Sequence, residues 1–168
     1  MYGMIHKAAR DMAISRLGQT EGEATIRSCG MTSQHFITAE YYDDAVSLQL
    51  IDALGPRLGL ERDDMLEHFG RHWIQYASGS SYARLITMAG DSLEAFVENL
   101  DRMHSSIKST MPLATMPHFS LLAADGTEIR ILYESERTGL SAFVRGILFA
   151  CAERFGEDVE IAEEPRDG

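Results

Sequence analysis

Two groupings of side chains in this sequence have the types and spacing that chemistry requires. The first is a single histidine, His104, in the run Leu93, Phe96, Val97, Leu100, Met103, His104 and Ile107, whose spacing predicts one face of a helix. An imidazole in an apolar stripe has two readings. It is a core histidine hydrogen-bonded to a neighbour, or it is an axial ligand to a metal carried by something other than protein. A zinc site needs about three or four protein ligands, whereas a haem iron needs only one, so the sharper reading of a solitary histidine is a porphyrin.

The second grouping is Tyr133, Ser135 and Arg137 in the run Tyr-Glu-Ser-Glu-Arg. On an extended strand a spacing of two places all three on one face, with Ile129 and Ile131 before them on that face. Such a surface grades from apolar to hydrogen-bonding. A phenol, a hydroxyl and a guanidinium converging there make a receptor for carboxylates, with the arginine supplying paired donors. The alternative is a solvated strand face. A flat apolar ligand with carboxylates on one edge accounts for both groupings at once.

Other polar residues read more simply. His68 and His72 stand four apart on one predicted helix, but the Phe-Gly-Arg between them lacks the glutamate of a zinc hydrolase, so they are expected on the surface. Ser80 and Ser81 follow no strand and form no nucleophile elbow. Asp63 and Asp64 are charges for a helix N-terminus.

The elements that must position these residues follow from the apolar period. It is helical up to about Thr110. Met4, Ile5, Ala8, Ala9 and Met12 predict a first helix ending near Gly18, and Glu23 to Cys29 a second that stops at Gly30. A third follows Tyr41 and Tyr42, with Val46, Leu50, Ile51 and Leu54 inward until Gly55-Pro56 bends or breaks it. Met65, Leu66, Phe69 and Trp73 mark a fourth, and Asp91 to about Ile107 another, with Asp91 and Glu94 spaced as a capping box. After Pro112 and Pro117 the period becomes two. Phe119 to Ala123, the Ala124-Asp125-Gly126 turn and Glu128 to Glu136 predict a β-hairpin. Leu140 to Phe155 is a final amphipathic helix stopped by Gly156, and Asp158 to Ile161 is expected as one more strand. The expected fold is α+β, with N-terminal helices packed on a small C-terminal antiparallel sheet in one domain over residues 1–168.

Composition excludes several classes. The chain has 168 residues, 45% hydrophobic and 24% charged, which rules out a disulfide scaffold and a disordered polymer. Fifteen basic against 26 acidic residues give a net charge of -11, and six of those acids lie between Glu157 and Gly168. Binding phosphates takes clustered Lys and Arg, and no cluster occurs, so nucleic acid and anionic membrane are not expected partners. The start, MYGMIHKAARDM, carries charges where a secretion signal would be apolar, and no stretch approaches the roughly 18 apolar residues of a membrane span. Cys29 and Cys151 suit reduced, buried thiols, which fits the cytoplasm.

Met-Tyr-Gly at the start, Leu100-Asp-Arg-Met-His104, Pro117, and above all Tyr133-x-Ser135-x-Arg137 before Gly139-Leu140 resemble the haem nitric oxide/oxygen-binding (H-NOX) family, the sensor module also found in soluble guanylate cyclase. The resemblance runs in order through nearly the whole chain. It implies haem b buried between helices and sheet, His104 as the iron ligand, and Tyr133, Ser135 and Arg137 on the propionates. It further implies Pro117 pressing on the porphyrin, and Asp44 pairing with Arg137.

The resemblance also implies a sensor without catalytic activity. Oxygen-binding members carry a distal tyrosine where this sequence has Phe143, and Trp73 matches a distal tryptophan of some members. Bound oxygen gains negative charge and wants a donor, whereas nitric oxide binds ferrous haem without one. The expectation is therefore a nitric oxide sensor, which would also bind carbon monoxide. Trp73 and Tyr76 are the alternative donors that would permit oxygen, and a haem-free interaction module of the same fold is the other alternative. With no output domain in this sequence, the family's bacterial members point to a histidine kinase or a cyclic-di-GMP synthase or phosphodiesterase as the effector. The family normally continues to a final C-terminal strand not included here, which would leave a sheet edge exposed.

Overall fold

The computed structural model describes residues 1–31 and 36–164; the last four residues of the acidic tail lie outside the described residues. The described residues form seven helices and one two-stranded antiparallel sheet: α1 (Gly3–Leu17), α2 (Gln19–Ser28), α3 (Asp44–Leu58), α4 (Arg62–Ser78), α5 (Ala83–Ala89), α6 (Leu93–Thr110), β1 (His118–Ala124), β2 (Ile129–Glu134) and α7 (Ser141–Phe155). This is the expected α+β order of helices followed by a hairpin and a last helix.

The differences from expectation have local causes. Pro56 does not break α3, because it sits in the last turn; the helix runs on to Leu58 and ends at Gly59 in the left-handed region, φ 68°. The cap of α6 is Ser92 rather than Asp91, and its side chain accepts from the Ala95 amide at 3.1 Å. The seven-residue α5 was too short to show a period. β2 stops at Glu134, so Tyr133 lies on the strand while Ser135 and Arg137 follow in the turn beyond it. Residues 158–161 form no strand; Val159 and Ile161 instead lie as irregular chain against the core, half-buried.

The core has three parts. Helices α1 to α4 bury Ala8, Met12, Leu50, Ile51, Leu54, Met65 and Phe69 together. Helices α4 to α7 and the hairpin bury a second cluster that includes Ile74, Phe96, Leu100, Phe119 and Leu148. A smaller third cluster joins Tyr2 and Met4 to Met111 and Ala114. α4 and α7 belong to both larger clusters and touch backbone to backbone. A Cβ at Gly70 would lie 2.1 Å from the Phe143 carbonyl oxygen, and one at Gly146 would lie 2.0 Å from that of Glu67.

No movement of a flexible side chain relieves that second contact, since the opposing atom is backbone. Gly146→Ala is expected to cost about 1–3 kcal/mol through forced separation of the two helices. Urea unfolding of the variant beside the wild type measures this, and an unchanged midpoint would show the helices free to part.

Candidate functional site

The three core clusters meet around one cavity. Its lining includes His104, Pro117, Tyr133, Ser135, Arg137, Phe143 and Trp73, together with Met4, Ile5, Leu100, Met111, Thr115 and Leu140. Seven of the eight residues singled out from the sequence therefore face a single space, most of it apolar. The eighth, Asp44, lies behind it, bonded to Arg137.

His104 occupies one wall. Its Nδ1 lies 3.3 Å from the carbonyl oxygen of Pro117, and because a carbonyl only accepts, Nδ1 carries the proton. The other ring nitrogen, Nε2, is then a free lone pair. Burial lowers the pKa of this imidazole, against smaller opposing effects of the Pro117 carbonyl and of Asp101, so the ring is neutral near pH 7. A neutral histidine with its far nitrogen fixed by a carbonyl is in the state a metal ligand requires. Asp101, one turn earlier on α6, accepts from the Phe119 amide at 3.0 Å and pairs with His118, holding the start of β1 on the helix.

Arg137 organises the opposite rim. Its Nε donates to Asp44 at the start of α3, and its Nη1 donates to the carbonyl of Thr115 at 2.5 Å. Nη2 makes no hydrogen bond among the described residues. Neither does the Tyr133 hydroxyl, while Ser135 Oγ accepts from the Arg137 amide at 3.0 Å and keeps its own proton to donate. Three donors thus line one edge of an apolar cavity, which is the chemistry that a ligand with carboxylates at one edge demands. Burial alone would raise the pKa of Asp44, but Arg137 and the ammonium of Met1, both bonded to it, outweigh that and hold the carboxyl below its ordinary range.

Phe143 packs on Phe69 at 5.1 Å between ring centres, and Trp73 stacks on Tyr76 at 6.4 Å. Trp73 lines the cavity and Tyr76 does not, so of the two alternative donors only the indole faces this space. The lining also includes the phenols of Tyr2, Tyr41 and Tyr82, which the sequence reading passed over. His68 and His72 lie away from it, against Arg16 and Asp11 respectively, and no group of three or more metal-ligating side chains occurs among the described residues. The Thr115 carbonyl is a backbone group that no residue type announces.

The chain is similar to known proteins in sequence and in fold. The profile of the haem-NO-binding family matches residues 2–163. Soluble guanylate cyclase 89Db of Drosophila melanogaster is 26% identical over 155 residues, covering 92% of this chain and 23% of that protein. Guanylate cyclase soluble subunit beta-2 of Rattus norvegicus is 34% identical over 92 residues, 54% of this chain and 13% of its own length. The chain thus spans about a quarter or less of these curated relatives. Among solved structures, an H-NOX protein from S. oneidensis in the Fe(II)NO state superposes with a TM-score of 0.86 at 19% identity, over 98% of this chain and 91% of that one. An oxygen-binding H-NOX domain in its oxygen complex gives 0.83 at 19% identity, over all of this chain and 88% of the other.

A second buried histidine braces the Asp44 end of the site. His6 on α1 is fully buried and bonded through Nδ1 to Ser47, one turn after Asp44 on α3. Burial, then the nearby Met1 ammonium, lowers its pKa from 6.5 to about 4. Between those values the unfolded chain binds a proton that the folded chain does not, so His6 favours folding fully above pH 6.5 and loses that effect as pH falls towards 4. The loss is expected to reach about 3 kcal/mol. His6→Asn should flatten the dependence of unfolding free energy on pH across this window, and an equal slope in both proteins would clear His6 of the effect.

Proposed function

The chain belongs to the haem-NO-binding family, and from that premise we propose that it is a non-catalytic sensor of nitric oxide built on haem b, with His104 as the only protein ligand to the iron. The observation that carries this reading is one apolar cavity with a neutral, unpaired imidazole nitrogen on one wall and the Tyr133, Ser135 and Arg137 donors on its rim. When bound, haem would supply a ferrous iron able to take up a diatomic gas.

The chain's own residues do the rest. Arg137 and its two neighbours take the propionates, each charge-assisted hydrogen bond contributing about 1.5–3 kcal/mol. Pro117 lines the same space, where it would press on a bound porphyrin, and its carbonyl sets the tautomer and orientation of His104. Asp44 fixes the guanidinium and ties α3 to the site. Phe143 offers no hydrogen to a bound gas, which favours nitric oxide and carbon monoxide over oxygen. The S. oneidensis relatives of the same fold, described in Fe(II)NO and Fe(II)CO states, are consistent with that choice. The oxygen complex of the other neighbour makes oxygen the second reading, with the Trp73 indole as the cavity-lining donor that favours it.

His104 is bonded to Pro117, two residues from the Thr115 carbonyl that Arg137 binds, and Arg137 is bonded to Asp44, so these groups would link a change at His104 to the helical half. The output passes to a separate effector, a histidine kinase or a cyclic-di-GMP synthase or phosphodiesterase. Among the described residues no helix is long and apolar enough to cross a membrane. Both cysteines are free thiols, the state a reducing cytoplasm maintains.

Purified protein is expected to show the visible spectrum of five-coordinate ferrous haem, and His104→Gly to lose the haem unless imidazole is supplied. Unchanged haem content and spectrum in the variant would remove His104 from the site. Exposed to air, the ferrous wild type should form no long-lived oxygen complex while still taking up nitric oxide and carbon monoxide. A stable, reversible oxygen spectrum would replace the nitric oxide reading with the oxygen one.

A further inference from the structure

The loop over residues 111–117 joins the end of α6 to β1 and carries two groups the site depends on, the Pro117 carbonyl against His104 and the Thr115 carbonyl against Arg137. Its own support is one turn, in which the Ala114 amide donates to the Met111 carbonyl at 2.9 Å, and the buried side chains of Met111 and Ala114. Pro112 and Pro117 have no amide hydrogen, and the Leu113 side chain is 68% exposed, so it anchors nothing. What fixes the middle of the loop is its backbone: the Leu113 amide donates to the hydroxyl of Tyr2 at 3.1 Å, across 111 residues of sequence.

Tyr2 is itself firmly placed. It is 8% exposed, its backbone bridges to Tyr41, and its ring meets the Tyr41 ring edge-on at 5.9 Å. Its ring shares the third core cluster with Met111 and Ala114. Tyr2 therefore grips the loop twice, by ring and by hydroxyl, from the residue that opens α1.

We propose that Tyr2 is a positioning residue for His104: its hydroxyl holds the 111–117 loop in the register that keeps the Pro117 carbonyl on His104 Nδ1. The proposal rests on the haem-sensor reading of the site. Without the hydroxyl the Leu113 amide loses its acceptor and the middle of the loop is left to packing and to its own Met111–Ala114 turn; the Pro117 acceptor loosens, and the imidazole becomes a weaker donor to iron, since a hydrogen bond from Nδ1–H raises ligand basicity. The same bond joins the loop to the residue that opens α1, beside the packing of Met4 on Met111 and Ala114, so the loop bonded to His104 has a link to the first helix that does not pass through Arg137.

The test compares wild type with Tyr2→Phe, which keeps the ring, and with Tyr42→Phe, which removes a hydroxyl that accepts from the Ile37 amide at 3.0 Å. Amide hydrogen exchange on haem-free protein reads the loop, and resonance Raman spectroscopy on the ferrous haem-loaded protein reads the iron–histidine stretch. In Tyr2→Phe the Leu113 amide should exchange roughly tenfold faster, as expected for one lost hydrogen bond. The iron–histidine band should move to lower frequency. Tyr42→Phe should change neither.

Unchanged exchange in Tyr2→Phe would overturn the hold on the loop. Faster exchange with an unmoved band would make Tyr2 structural only, and equal changes in Tyr42→Phe would mark a general loosening; both outcomes overturn the proposal. A wild-type chain that takes up no haem would refute the sensor reading, and the positioning role with it, while the haem-free exchange comparison would still show whether the hydroxyl holds the loop.

Discussion

The arrangement of this molecule turns on one guanidinium. Arg137 leaves the end of β2 and reaches in two directions, to a carboxylate at the N-terminus of α3 and to a backbone carbonyl in the 111–117 loop. Its side chain is only 19% exposed and that of Asp44 26%, so both charges are drawn partly out of water. Pairs of this kind survive because every partner is matched; removing one leaves the other charge desolvated and unpaired, which is costlier than losing the pair. A lysine would not serve. Its ammonium is a point charge, whereas the planar guanidinium points separate N–H groups at Asp44, at Thr115 and into the cavity at once.

Around that point the fold divides into rigid and yielding parts. Helices α4 and α7 meet at glycines with no space between backbones, so the two large cores are locked along that line. The third cluster is smaller and built from chain ends and loop residues: Tyr2, Met4, Met111 and Ala114. Regions with few buried apolar contacts open at lower free energy than the core they border. The cavity is placed where the rigid seam and the weak cluster meet, and a push from inside it is taken up at the weak side. On the proposed reading, this is what makes the binding of a diatomic molecule mechanically visible.

What could be read from residue types was the part governed by periodicity and by side-chain chemistry. The stripe from Leu93 to Ile107 predicted α6 and set His104 on its inner face, and alternation after Pro117 predicted the hairpin. Tyr133, Ser135 and Arg137 were placed on one strand face and do line one cavity, although the strand ends at Glu134 and the turn, rather than the pleat, brings the last two inward. The misses are physical in kind. Ser92 and Asp91 are both good caps, and which one serves is decided by where the chain enters α6. Residues 158–161 alternate like a strand but have no hydrogen-bonded neighbour strand among the described residues, and alternation alone does not supply one. The Thr115 carbonyl and the Leu113 amide are backbone groups, and only tertiary structure assigns their partners. The pairing of Asp44 with Arg137 came from family resemblance, since a contact across 93 residues leaves no mark in local spacing.

On the proposed reading, the same seam that gives the molecule rigidity would also shape what the cavity discriminates. Trp73 is on α4, one turn past Gly70, and Phe143 is on α7, one turn before Gly146, so the two rings are carried to the cavity by the helices that the glycine contacts bring together. The positions from which they reach it are therefore set by backbone packing. An indole N–H is a donor and a phenyl ring is none, so the polarity presented to a bound gas depends on how far the α4–α7 distance lets the indole approach. A larger residue at either glycine would widen the cavity and carry the donor away from it together. Selectivity and stability are thus coupled through one interhelical contact. On the proposed reading, gas preference would change more readily by exchanging the side chain at Phe143, which abuts Phe69, than by moving α4 against α7, because a volume-conserving swap costs less than forcing packed helices apart.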